Sequence, residues 1–349
     1  MERKVTMKDV ASAAGVSTAT VGRVLHQKGY ISPEAKERVE AAIHKTGFRI
    51  NLVAQSLRRS RSMTLGLLLS TIVQNPFFPG IEFGIEQEAM RHGYNVIIWN
   101  VLTDPARERE GVEGLIRRQI DAILFCTPQD PQNVLLSKQA GIPVVQIERP
   151  TYIDTHRVLV DNYVGAASAM EHLIQLGHRR IAFIGTSVIP PPPQGEVDNQ
   201  RLAGYRDTLI RHGITPLDEW FAAGNLYSIE DGYRRMQQFL ELKPGITAVL
   251  AGCDIMAAGV LQAIYQNGLR VPEDISVIGF DDTYAPFLAP PLTSVQQPVF
   301  DIGVLAARLA IEVLDNNGNG SSDEFRTIHL ETCLKIRSST GVPHRYYPD

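Results

Sequence analysis

Between Thr6 and Gly47, apolar residues recur three and four positions apart in three short runs, each framed by helix starts and stops. Thr6 can cap the first helix, with Asp9 in its opening turn near the positive end of the dipole. Val10, Ala11 and Ala14 supply its inner face. Gly15 ends it, because glycine enters the left-handed conformation of a tight turn without strain. Ser17 caps a second helix, on which Val21, Val24 and Leu25 fall at i, i+3 and i+4 and turn inward. Thr18, Ala19 and Arg23 then face outward, at the front of a helix sized for a DNA major groove. The third run has Ser32 as cap, Pro33 at its first position, Ala35, Val39 and Ile43 inward, and Gly47 at its end.

From Thr64 the pattern changes. Short, wholly apolar runs at Leu65–Leu69, Asn95–Trp99, Ala122–Phe125, Val144–Ile147, Ile181–Ile184, Ala248–Ala251 and Ser276–Gly279 predict strands. Amphipathic stretches at Phe83–His92, Arg107–Arg118, Val164–Leu176, Leu202–His212, Ile229–Leu240, Ile255–Tyr265 and Ile302–Leu314 predict helices between and after them. Apolar strands alternating with helices mean parallel sheets covered on both faces. Seven such units are too many for one compact open sheet here, so two doubly wound lobes are expected. Ligands of such sheets settle at the carboxyl ends of the strands.

Charge divides the chain at the same place. Residues 1–62 hold twelve Lys and Arg against five Asp and Glu, a balance of +7, while the rest carries −11 and the whole −4. A basic head on an acidic body suits a polyanion at one end only. At 349 residues and 44% apolar composition the chain can build a large core. Three widely spaced cysteines, Cys126, Cys253 and Cys333, suggest reduced thiols. The opening Met-Glu-Arg-Lys-Val has no apolar signal core and no run approaches membrane-spanning length, so a cytoplasmic protein with no membrane partner is expected. The tail Pro343–Asp349 shows no leucine heptads, which argues against a tetramerising coiled coil there.

The segment Leu52–Arg58 would make about two helical turns, too short to persist alone in water. Ala54 and Leu57 lie on one face, with Arg58, Arg59 and Arg61 adding charge. These motifs closely resemble the lactose-repressor/galactose-repressor family of bacterial transcription regulators. The match runs from Thr6-Met-Lys-Asp-Val-Ala through Gly15-Val-Ser-Thr-Ala-Thr-Val-Gly-Arg-Val-Leu25, resumes at Ser32-Pro33 and Gly47-Phe-Arg-Ile-Asn51, and continues in scattered motifs to about Ser339. Two positions depart from it: Gly22 stands where Ser is usual, and His26 where Asn is usual.

The resemblance implies an all-α helix-turn-helix head (residues 1–50), a hinge (51–62) and an α/β body (63–340) of the type I periplasmic-binding-protein kind. Its first lobe is expected at 63–160 plus 290–320 and its second at 161–289 plus 321–340, joined by three crossing strands. The implied partners are double-stranded operator DNA, a sugar-like small-molecule effector and a second copy of the chain. At the DNA the resemblance places Thr6, Ser17, Thr18, Ala19, Thr20 and Arg23 of the head and Asn51, Ala54, Leu57 and Arg58 of the hinge. Paired hinge helices would push Leu57 between base pairs in the minor groove. In the cleft it implies Phe78 as an aromatic floor, Arg201 as polar clamp, Asp281 as its acceptor partner, Glu148 where Asp is common, Cys253 where Asn is common, and Tyr227 by a gapped alignment. An aromatic face with fixed carboxylates and a guanidinium is the chemistry that sugar recognition requires.

No phosphate-cradling loop with lysine, zinc-type His pair or serine elbow occurs, so neither catalysis nor a cofactor is expected. Two other readings stay open: a regulator of this fold controlled by a phosphoprotein on the outer face of its body, and a solute receptor with a vestigial head.

Overall fold

The computed structural model describes residues 5–26, 30–48, 61–69, 75–186, 197–224, 227–242, 245–316 and 324–343. Its contacts divide the chain into two units, Met1–Ser62 and Met63–Asp349. The hinge residues Asn51, Ala54, Leu57 and Arg58, the proline-rich loop Ile189–Gln194 and the tail beyond Pro343 lie outside the described residues.

In the first unit, helices α1 (Met7–Ala14), α2 (Thr18–His26) and α3 (Pro33–Thr46) enclose Val10, Ala11, Ala14, Val21, Val39 and Ala42. On α3 the inward set is Val39 and Ala42, with Ile43 packed at its edge and Ala35 only half-buried. The caps follow the sequence. Ser17 Oγ accepts from the Thr20 N–H at 3.1 Å and Ser32 Oγ from the Ala35 N–H at 3.3 Å. Gly15 and Gly47 close α1 and α3 at φ 65° and 66°. Thr6 is engaged differently from a simple cap: its N–H and hydroxyl both donate to Asp9 Oδ2, at 2.8 and 2.7 Å. The three buried valines contribute about 1.5–3 kcal/mol each, so this small core leans heavily on its caps.

The second unit holds two six-stranded sheets. The first contains β1 (Thr64–Leu69), β2 (Asn95–Asn100), β3 (Ala122–Cys126), β4 (Val144–Ile147), β5 (His156–Val160) and β11 (Thr327–Leu330), in the order β11-β5-β4-β3-β1-β2. The second contains β6 (Ile181–Thr186), β7 (Phe221–Gly224), β8 (Ala248–Ala251), β9 (Ser276–Asp281), β10 (Thr293–Gln296) and β12 (Cys333–Lys335), in the order β12-β10-β9-β8-β6-β7. All pairings are parallel except β10 with β12. Strands β1, β3, β4, β8 and β9 are buried almost throughout, which explains why their sequences are mostly apolar.

Helices cover both faces of each sheet. Helices α4 (Phe77–Arg91) and α11 (Val299–Asn316) pack on one face of the first, with α5 (Pro105–Arg117) and α6 (Pro131–Gln139) on the other. Helices α9 (Ile229–Leu242) and α10 (Asp254–Gln266) cover one face of the second, with α7 (Asn162–Gln175) and α8 (Val197–Arg211) opposite. Each lobe brings helices into backbone contact through glycine. A Cβ on Gly84 would strike the Phe300 carbonyl, and one on Gly232 the Met256 carbonyl.

The chain passes between the sheets three times: from β5 to α7, from β10 to α11 and from β11 to β12. This corrects the expected partition of the lobes. Thr293–Gln296 belongs to the second sheet, paired to β9, and Thr327–Leu330 to the first, paired to β5. These strands are short and carry polar residues, so position along the chain says little about which sheet edge they complete.

Candidate functional site

A cleft with about 310 Å3 of empty space, part of it open to solvent, is lined by strand-end residues of both sheets. From the first sheet come Asn75, Phe77 and Phe78 after β1, Thr127 after β3, and Glu148 and Arg149 after β4. From the second come Arg201 on α8, Tyr227 after β7, Cys253 after β8 and Asp281 at the end of β9.

Local chemistry places each of them. The Asn75 side chain accepts from the Phe77 N–H at 3.0 Å, a turn that starts α4 and sets both phenyl rings at the cleft. The rings meet edge to face with centroids 5.4 Å apart. After β4, Glu148 adopts φ 70°, and the Arg149 N–H turns back to the Ile147 carbonyl at 2.9 Å. That kink points two consecutive charged side chains into the cleft. Thr127 (φ 59°) and Asp281 (φ 99°) are also left-handed, so three non-glycine strand ends at one site hold conformations costing about 1–3 kcal/mol each. Such strain persists where packing over-determines the backbone and function needs the side chain there.

Arg201 is the centre of the polar network and is 3% exposed. Its Nε donates to Asn162 Oδ1 at 2.8 Å and its Nη1 to the Gly252 carbonyl. The guanidinium carbon lies 3.8 Å from the Phe280 ring centroid. Nη2 stands 3.7 Å from Glu148 Oε1 and 3.7 Å from Asp281 Oδ1. Both distances exceed a hydrogen bond, so the cation faces two carboxyl groups without being saturated by either. A ligand hydroxyl there could accept from Arg201 and donate to a carboxyl oxygen.

Asp281 accepts from Gln297 Nε2 at 2.6 Å. Burial pushes its carboxyl up to about 8, with Asp254 and Glu148 adding and Arg201 and Gln297 opposing. Burial also raises Asp254, to about 6, against hydrogen bonds from Ser294 Oγ (2.6 Å), the Thr283 N–H (2.8 Å) and the Tyr284 N–H (3.2 Å). Cys253 sits at the cap of α10, and burial holds its thiol well above the ordinary range, so it presents a neutral S–H.

A model of bacterial regulatory proteins of the lacI family matches residues 6–51, and a periplasmic binding protein-like domain matches residues 170–340. The ribose operon repressor of Escherichia coli K12 is 34% identical over 338 residues, covering 96% of this chain and 99% of that one. The HTH-type transcriptional repressor CytR of the same strain is 34% identical over 342 residues, covering 97% of each. This chain belongs to the LacI family of bacterial regulatory proteins.

Solved structures agree. The Lac repressor dimer bound to operator and the anti-inducer ONPF superposes with TM-score 0.82 at 28% identity, covering 97% of this chain and 100% of that one. A LacI-family regulator from Enterococcus faecium with bound ribose matches 80% of this chain and 100% of its own, with TM-score 0.70 at 26% identity. Among its described residues this LacI-family chain has no group of His, Cys, Asp and Glu placed to hold a metal ion, and no helix long and apolar enough to cross a membrane.

The structure gathers Phe78, Glu148, Arg201, Tyr227, Cys253 and Asp281 around one cleft. It adds Asn75, Phe77, Thr127 and Arg149 to the lining, and Asn162 and Gln297 behind it. Phe77 and Arg149 are the chain neighbours of the expected Phe78 and Glu148. Thr127 carries no motif, and its left-handed backbone becomes visible only in three dimensions. Glu148 is 6% exposed and faces Arg201. The turn after β9 is held by Asp254, whereas Asp282 pairs with Arg337 at 2.6 and 3.1 Å. In the head, Ser17, Thr18, Ala19 and Arg23 are exposed at the front of α2, Thr20 is half-buried, and Thr6 is exposed beside α1.

Proposed function

We propose that this regulator is a sequence-specific repressor acting in the bacterial cytoplasm, whose operator affinity is set by a small carbohydrate-like effector held between its two lobes. The observation that carries the reading is Arg201. It is anchored in the second lobe by Asn162 and Gly252, yet faces Glu148 of the first lobe and Asp281 of its own across the cleft. A ligand that bridges those groups ties the lobes together. Names of relatives agree in kind: one is a ribose operon repressor, and a structural neighbour carries bound ribose.

In this reading two copies of the chain pair through their bodies and place both heads on adjacent operator half-sites. Thr18, Ala19 and Arg23 read base edges in the major groove, and Thr6, Ser17 and Thr20 hold the backbone. Asn51, Ala54, Leu57 and Arg58 form the hinge helix, with Leu57 as the minor-groove wedge. Lobe closure favours or disfavours that marginal helix. A coupling of about 1–3 kcal/mol changes operator affinity roughly 5–150-fold. Neither a catalytic step nor a cofactor enters the scheme.

Fluorescence anisotropy with promoter fragments tests it. Leu57→Ala should weaken operator binding sharply while calorimetry finds effector binding near wild type. Equal losses of both, or an absence of sequence preference in the wild type, would reject the reading.

A further inference from the structure

The two arginines that line the cleft differ in their surroundings. Arg201 is matched by both cleft carboxyl groups, Glu148 and Asp281. Arg149 has no carboxylate of the described residues within ion-pair distance. Its guanidinium lies 5.0 Å from the centroid of the Tyr227 ring, and its Nε is buried without a hydrogen-bond partner among the described residues. The Tyr227 hydroxyl, on a residue 8% exposed, is likewise buried and unpartnered among them. A buried guanidinium N–H and a buried phenol hydroxyl cost free energy unless something supplies acceptors.

We propose that Arg149 and Tyr227 form an anion-recognition corner of the cleft, and that the effector carries a carboxylate or phosphate group beside the hydroxyls read by Arg201, Glu148 and Asp281. The inference rests on the function proposed above and adds the charge class of the ligand. A guanidinium and a phenol hydroxyl that line the same cleft can both donate to one anionic group, and charge-assisted hydrogen bonds of that kind are strong. The apolar and thiol lining by Phe77, Phe78 and Cys253 excludes water around it, which strengthens such contacts.

The test uses the full chain and matched sets: D-ribose, D-ribonate and D-ribose 5-phosphate; D-glucose, D-gluconate and D-glucose 6-phosphate; and inorganic phosphate alone. Calorimetry and thermal shift should show an acid member binding at least tenfold more tightly than its neutral counterpart. Arg149→Gln should remove that gap, and Tyr227→Phe should narrow it. The ligand-free melting temperature of Arg149→Gln should hold, because no carboxylate loses a partner. A preference confined to the carboxylates identifies a sugar acid, and one confined to the phosphates a sugar phosphate. Neutral members binding as tightly as acids, an acid preference surviving in Arg149→Gln, a sharp fall in that variant's ligand-free melting temperature, or no response to any acid or to phosphate would each overturn the inference. A neutral sugar that still shifts operator affinity would overturn it while leaving the proposed repressor function standing.

Discussion

The two lobes furnish the same cleft by different means. The second brings a prefabricated polar frame in which Asn162 and the Gly252 carbonyl hold Arg201, Gln297 holds Asp281, and Ser294 with two backbone N–H groups holds Asp254. The first brings two phenyl rings and a kinked strand end, with Thr127 and Glu148 in left-handed backbone and Arg149 without an ionic partner among the described residues. Most polar groups of the second lobe are held before the ligand arrives, while Arg149 Nε of the first lobe and the Tyr227 hydroxyl of the second keep interactions unspent. Preorganisation of the frame reduces what binding must order, while the unsatisfied pair makes closure depend on the ligand.

The largest effect that would break this contrast is Arg201→Ala. It leaves Glu148 and Asp281 buried without their cation, and removing one partner of such a set costs about 3–5 kcal/mol. The lower end is expected, since Asp281 can take a proton. Both chemical denaturation and calorimetry should register it, as lost stability and lost effector binding. The mirror change in the first lobe is Phe78→Leu, which keeps an apolar side chain of similar reach. Stability should fall by less than about 1.5 kcal/mol while effector affinity drops about tenfold, the share of a stacking ring face. Equal stability losses in the two variants would erase the asymmetry.

Smaller still is a dependence on pH. Asp281 titrates near 8 in the folded chain, and Asp254 near 6, against about 4 for an unfolded aspartate. Over that window these two carboxyl groups bind more protons in the folded state than in the unfolded one, so their contribution to stability is greatest at the acid end and falls as pH rises toward 8. Melting temperature should decline by a few degrees between pH 6 and pH 8, and Asp281→Asn should flatten the decline. A rising profile would reverse the account of the buried frame. The smallest change lies in the head. Gly22 sits inside α2, where an added Cβ meets only the Met7 methyl at 3.6 Å, so Gly22→Ala should stabilise that unit by about 0.5–1 kcal/mol.

What the sequence revealed follows the same division. Mostly apolar runs marked β1, β3, β4, β8 and β9, because strands buried on both faces leave no other pattern. Strands β5, β7, β10, β11 and β12 escaped, being short or mixed in polarity. Arg201 and Asp281 were legible from motif resemblance. Asn162 and Gln297, which orient them, were not, since an amide's role depends on what folding brings beside it. Thr127 was missed for a related reason: the backbone turn that aims it has no residue signature when the position is not glycine.

Operator affinity measured with and without a saturating cleft ligand, in the wild type and in Arg201→Ala, tests coupling between cleft and DNA most directly. The wild type should change affinity roughly 5–150-fold on adding ligand, and the variant not at all. A wild-type protein that binds the ligand in its cleft yet holds its operator with unchanged affinity would contradict the coupling.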